Sequence, residues 1–326
     1  MQSATERSFM DTKQIEYILK IAEENNITKA AEKLFLTQSA LNQQLLKLEK
    51  ELGTPLFHRS RTNWRPTKAG EVYLENARQI LRLKKDTYSQ IRDIANTKLG
   101  QLSIGFTPGR GIAMFTSIYP NFHQMYPEIT VEPVEKSVHE LQQMISDDNL
   151  DIAFLTLRQE DHTNDEYITL MTEEILLAIP AGHPLGAWAA PKDGPLTVME
   201  LKNLQYEPFV LMDKNSTMRS LANDIFQKAG FAPNVLFETR NNNTVLYMVR
   251  TNLCCGLVPS YYAKGAPEGI AFFQLPFHPS WQVAASYKRN AYLSKAAKAF
   301  IQMVKEYWNR NPADCLNQLL PTDFIR

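Results

Sequence analysis

The chain has 326 residues, 44% apolar and 21% charged, enough for two or three cored domains and outside the disordered and collagen-like classes. No apolar run approaches the ~18 residues of a membrane span, and residues 1–9 are polar and charged rather than leader-like, so a cytoplasmic protein is expected. Net charge is zero, yet residues 1–100 hold 17 Lys/Arg against 12 Asp/Glu and the remainder 18 against 23, the asymmetry of a chain whose first third meets a polyanion.

Residues 1–10 stand apart as an N-terminal extension. From 11 to about 24, Ile15, Ile18, Leu19 and Ala22 recur at helical spacing behind Asp11 or Thr12 as cap. A short helix over 28–34 carries Ile27, Ala30, Ala31 and Leu34 on one side, with Thr28 as its cap. A third helix follows over 38–51, with Leu41, Leu45, Leu48 and Leu52 as its buried stripe, closed by Gly53 and Pro55. Residues 56–66 read as a hairpin or loop. Thr67 then caps a helix running to about Asn96, ~42 Å long at ~1.5 Å per residue. An amphipathic helix of that length usually packs on another helix.

Two helices joined by three residues suit a helix-turn-helix when small residues lie at the crossing and the second helix turns a polar face outward. Ala30 and Ala31 supply the first condition; Gln38, Ser39, Asn42, Gln43 and Lys47 supply the second. Gln and Asn can pair bidentately with adenine, and Ser can donate or accept at several base edges. Thr37 can both cap the helix and reach phosphate. Any soluble helix face carries such residues, but residues 57–68 add His58, Arg59, Arg61, Arg65 and Lys68 without a carboxylate. A wing of that composition can grip the DNA backbone, each phosphate contact adding about 0.9 to the salt slope of binding.

After Gly100 the pattern changes. Strand-like runs at 102–107, 130–135, 152–155, 175–179, 209–212, 236–239 and 256–259 alternate with helices at 113–125, 139–145, 218–229 and 245–251. A last helix spans 294–308 behind Ser294. Such alternation predicts parallel sheets covered on both faces.

The stretches NITKAAEKLFLTQSALNQQLLKLEKELGTPLFHRS (26–60) and PTKAGEVYLENARQIL (66–81) resemble the LysR-type transcriptional regulators, and YPEITVEPVE, LDIAF, HPLG, GLVPS and LSKAAKAFIQMV extend the likeness in order through the chain. The resemblance implies an all-α winged helix-turn-helix domain over 11–68, a linker and dimerisation helix over 67–98, and an effector-binding α/β domain over 101–326. That domain would resemble a type 2 periplasmic binding protein, with lobe I about 101–178 and 271–326 and lobe II about 179–270. It further implies DNA contacts from Gln38, Ser39, Ala40, Asn42, Gln43, Arg59 and Arg65. The partners would be promoter DNA, a small-molecule effector, a second chain in a homodimer or homotetramer, and RNA polymerase as a candidate. The family often has Pro at 39 or 40, Ser at 42 and Arg at 43; Ser39, Ala40, Asn42 and Gln43 here remove a guanine reader and shift the expected preference towards adenine.

Binding-protein lobes hold ligands at strand ends, where helix N-termini offer free N–H groups to anions. Four places match: Thr107, Pro108, Gly109 and Arg110; Thr156; Asn215, Ser216, Thr217 and Arg219; and Asn241, Asn242, Asn243 and Thr244, preceding a helix at Val245. Each also reads as ordinary helix capping. If Arg110 and Arg219 both face the cleft, an anionic effector is favoured.

Cys254, Cys255 and Cys315 form no disulfide framework, and the apolar neighbours of the adjacent pair suit inert buried thiols better than a redox sensor. The six histidines are scattered and no metal or cofactor is expected. The sequence lacks GxSxG, P-loop and GxGxxG signatures, so an enzyme is not the expectation.

Overall fold

In a computed structural model, residues 11–60, 63–191, 194–263 and 268–309 are described; the N-terminal extension, Arg61 and Cys315 lie outside them. The chain divides into two units, one ending at Ala95 and one beginning at Asn96.

In the first unit, α1 (Thr12–Glu24), α2 (Ile27–Lys33) and α3 (Gln38–Leu52) close on Ile15, Ile18 and Ile21, packed against Ala30, Ala31, Leu41, Leu45 and Leu48. Asp11 caps α1, accepting from the Lys13 N–H at 3.0 Å. The cap of α2 is Asn26 rather than Thr28. Its Oδ1 accepts from the N–H groups of Thr28 and Lys29 at 2.9 and 3.1 Å, so the helix starts one residue before the sequence suggests. Leu52, expected in the buried stripe of α3, is 45% exposed at the helix end, before Gly53 turns the chain at φ +71.

The strands β1 (Phe57–His58) and β2 (Arg65–Pro66) pair antiparallel as a small wing. Thr67 caps α4 (Lys68–Ile94), accepting from the Gly70 N–H at 3.0 Å and donating to the Pro55 carbonyl at 2.8 Å. A Cβ at Gly70 would lie 2.0 Å from the Leu56 carbonyl oxygen, so glycine is what lets α4 start against the wing.

The second unit is two-lobed. β3 (Gly100–Phe106), α5 (Arg110–Met125), β4 (Ile129–Glu135), α6 (Val138–Ser146) and β5 (Ile152–Leu157) open it, with β3 parallel to both β4 and β5. β6 (Glu166–Pro180) passes into the other lobe. There β7 (Pro208–Met212), α7 (Thr217–Ala229), β8 (Asn234–Thr239), α8 (Asn242–Arg250) and β9 (Cys255–Pro259) follow, with β7 parallel to β8 and β9. β10 (Ile270–Phe273) pairs antiparallel with the end of β6. β11 (Ser280–Tyr287) returns alongside its start and pairs β5, and α9 (Lys295–Asn309) packs Phe300 into the first core at 5.1 Å from Phe122.

The parallel expectation therefore holds for β3–β5 and β7–β9 but not for β6, β10 and β11, which are antiparallel. β6 covers 15 residues rather than 175–179, because its first part is mostly exposed or half-buried, with only Leu170 and Glu173 buried, and continuous burial begins at Ile175. Separate cores fill the lobes, one around Phe106, Phe122, Phe154 and Phe300, the other around Phe209, Phe226 and Phe273. Among the described residues no helix is long and apolar enough to cross a membrane.

Candidate functional site

Burial of Leu41, Leu45 and Leu48 fixes the rotation of α3, which leaves Gln38, Ser39 and Gln43 exposed and Ala40 and Asn42 half-buried. Thr37 Oγ1 accepts from the Ala40 N–H at 3.1 Å, so its oxygen serves the helix cap while the exposed hydroxyl keeps its own hydrogen to donate. Lys47 is exposed one turn beyond Gln43.

The two named wing arginines differ. Arg65 is exposed on β2. Arg59 donates to Glu49, a nearly buried carboxylate of α3 that also accepts from the Leu56 N–H at 2.8 Å, and its guanidinium lies 5.6 Å from the centre of the Trp64 ring. The wing segment lacks carboxylates in sequence, yet α3 supplies one in space, ten residues earlier. Sequence reasoning also passed over Phe35, which lies in the helix-turn-helix turn at φ +55 and is 96% exposed.

In the second unit the expected ligand residues fall at strand ends and helix starts. Gly109, at φ +75, precedes α5, which no side chain caps. The Thr217 hydroxyl donates to the Thr156 carbonyl at 2.9 Å, joining two of the candidates across the lobes. Ser216 caps α7 by accepting from the Arg219 N–H at 3.1 Å, so its oxygen does the structural work that the sequence left open. α8 begins at Asn242 rather than Val245, which puts Asn243 and Thr244 within its first turn; Asn241 caps it by accepting from the Asn243 N–H at 2.9 Å.

Both arginines are committed. Arg219 donates to Glu238 at 2.8 Å, to Asn223 at 3.0 Å and to the Met212 carbonyl at 3.1 Å. Arg110 Nη1 donates to both carboxylate oxygens of Glu173, and its guanidinium lies 5.3 and 4.8 Å from the ring centres of Tyr261 and Trp308. Arg110 Nη2 is buried with no hydrogen-bond partner among the described residues, and so is Asn242 Oδ1. The Tyr262 phenol is pushed up by burial, against the pull of Arg110 and of the Asn242 side-chain amide. Glu173 and Tyr262 carried no sequence signal, because their significance depends on Arg110 arriving from a distant loop; Asn242 stood in the run expected before the helix at Val245.

Cys254 and Cys255 are free and buried; burial pushes their thiols up to about 11 and about 12, which suits inert thiols rather than sensors. Among the described residues no cluster of His, Cys, Asp and Glu suits a metal ion.

A helix-turn-helix with a polar recognition face and a wing, joined to a two-lobed ligand-binding domain, defines a DNA-binding transcriptional regulator. The family model for the bacterial regulatory helix-turn-helix protein, lysR family, matches residues 12–71, and that for the LysR substrate binding domain matches residues 95–309. The chain belongs to the LysR family. It is 29% identical to the uncharacterized HTH-type transcriptional regulator YcgK of Bacillus subtilis, over 91% of this chain and 94% of that one. It is 28% identical to the HTH-type transcriptional regulator AlsR of the same organism, over 84% and 90%. A full-length variant of OxyR from Pseudomonas aeruginosa shares the fold at TM-score 0.67 and 22% identity, over 94% of this chain and 96% of that one. CbnR complexed with its target DNA does so at 0.53 and 20%, over 91% and 99%. These relatives are transcriptional regulators, not enzymes.

Proposed function

We propose that this regulator binds an operator through α3 and the wing as a homo-oligomer paired through α4, and that a small effector held between the lobes alters that binding. The observation carrying the DNA half is the capped N-terminal turn of α3, with Gln38, Ser39 and Gln43 outward and the leucine stripe inward. Gln43 and Asn42 read adenine edges, Gln38 and Ser39 assist, Thr37 and Arg65 meet phosphate, and Arg59 steadies the wing. Ala40 lets the helix approach closely, and Phe35 offers an apolar face to a thymine methyl group.

The effector site is drawn from Thr107, Pro108, Gly109, Arg110, Thr156, Ser216, Thr217, Arg219, Asn243 and Thr244. With Arg219 paired to Glu238 and Arg110 to Glu173, an anionic effector rests on fewer donors than two free guanidinium groups: the uncapped start of α5 and the unpartnered Arg110 Nη2. Of the two, the buried Nη2 argues more strongly for an acceptor group on the ligand.

The test is selection of bound duplexes from a random pool by the full chain. Enrichment of an inverted repeat supports a sequence-specific oligomer. Salt-sensitive retention without any enriched sequence overturns it.

A further inference from the structure

A cavity of about 400 Å³ lies beside the strands that connect the lobes. Residues 158–160 after β5, Thr172 of β6 and residues 280–282 of β11 form part of its wall; one face of α7 and the turn at 276–279 form the rest. None of the effector-site residues proposed above lines it.

Its groups have unequal demands. Leu221, Ile225 and Trp281 are buried apolar walls, whereas Phe277 is 77% exposed and offers an uncovered aromatic face. Lys228 lies 5.9 Å from the centre of the Phe277 ring and has no carboxylate partner among the described residues. Arg158, by contrast, faces Glu160 at 2.6 Å, Asp161 at 3.0 Å and Asp224 at 2.5 Å, so carboxylates outnumber it. Glu160 and Asp224, the two of these that line the cavity, remain 67% and 47% exposed.

An unpaired ammonium, surplus carboxylate and apolar walls complement a small molecule that carries both charges and an apolar body. We infer that the cavity binds an apolar amino acid as its zwitterion. The ligand carboxylate meets Lys228, its ammonium meets Asp224 and Glu160, and its side chain covers Phe277 and the Leu221–Ile225 face. Because Arg158, Gln159 and Glu160 follow β5 of one lobe and α7 belongs to the other, occupancy biases the arrangement of the lobes and tunes the response to the effector.

Calorimetric titration of the full chain with L-leucine, L-methionine and L-phenylalanine, and with the deaminated and decarboxylated counterpart of each, tests this. At least one amino acid binds, and its single-charge counterparts bind about tenfold more weakly, a loss of about 1.4 kcal/mol. Lys228→Ala and Asp224→Asn each weaken binding about fivefold while leaving ligand-free DNA affinity unchanged. Lys228 is exposed, so its variant decides the matter if Asp224→Asn fails to fold. No binding by any of the three, equal binding of the counterparts, or binding lost in Thr217→Val but not in Lys228→Ala would each overturn the inference.

Discussion

Arg110 Nη1 lies 2.9 and 2.7 Å from the two carboxylate oxygens of Glu173, whose side chain has no solvent exposure. The same carboxylate accepts from the Tyr261 N–H at 3.0 Å and from Trp281 Nε1 at 2.8 Å. Glu173 thereby ties α5, the β9 exit and both connecting strands together. Removing one partner of a buried pair strands the other charge, at about 3–5 kcal/mol. Arg110→Met and Glu173→Gln should each lower the urea stability of the second unit by roughly that amount, and the double variant should lose less than the sum. Additive losses would show that the pair does not act as a unit.

Arg59 and Arg65 should fail differently when replaced. Arg65→Ala should leave stability within about 0.5 kcal/mol and reduce the salt slope of DNA binding by about 0.9 if it meets one phosphate. Arg59→Ala should also destabilise the first unit, by about 1–3 kcal/mol, because it leaves the nearly buried Glu49 without its charged partner. Thermal unfolding combined with DNA titration at several salt concentrations separates the two outcomes.

Along α4, Val72, Leu83, Ile91 and Ile94 are 56%, 68%, 56% and 82% exposed within the first unit. Apolar side chains so spaced on a long helix are covered when two helices pair. Leu83→Glu with Ile91→Glu should therefore shift sedimentation from oligomer towards monomer and weaken operator binding at least tenfold. An unchanged oligomer would place the interface elsewhere.

Cys254 and Cys255 should resist alkylation at pH 7 in the native protein and react on denaturation, since burial holds both thiols neutral. Their folded values, about 11 and about 12, stand above the ordinary 9. The unfolded thiols therefore ionise first as pH rises. The stability they contribute is fully present below about pH 9 and declines from there towards 11–12, by up to about 1.4 kcal/mol per pH unit for each thiol. Cys254→Ala with Cys255→Ala should flatten that decline in denaturant titrations between pH 8 and pH 10.5. An equal slope in the variant would assign the decline to other groups.

Much of the first unit was legible because its signals are local. The leucine period sets the rotation of α3, and Thr37 and Thr67 stand where their helices start. Asn26 displaced Thr28 as a cap because both residues suit the role and only the true start of α2 decides between them. The Glu49–Arg59 pair was hidden because it forms only when the wing folds back towards α3. In the second unit, buried parallel strands announce themselves as apolar runs, whereas the start of β6 and the small residues Ala284 and Ala285 of β11 do not. Glu173 looks like any strand carboxylate until Trp281 and Arg110 are placed beside it.

The most direct test of α3 as a sequence reader is to repeat the duplex selection with Gln43→Ala beside the native chain. The account predicts that the native chain enriches an inverted repeat and that the variant relaxes it at one defined position in each half-site, at a cost of about 1–3 kcal/mol there. An identical enriched motif for both proteins would contradict the account.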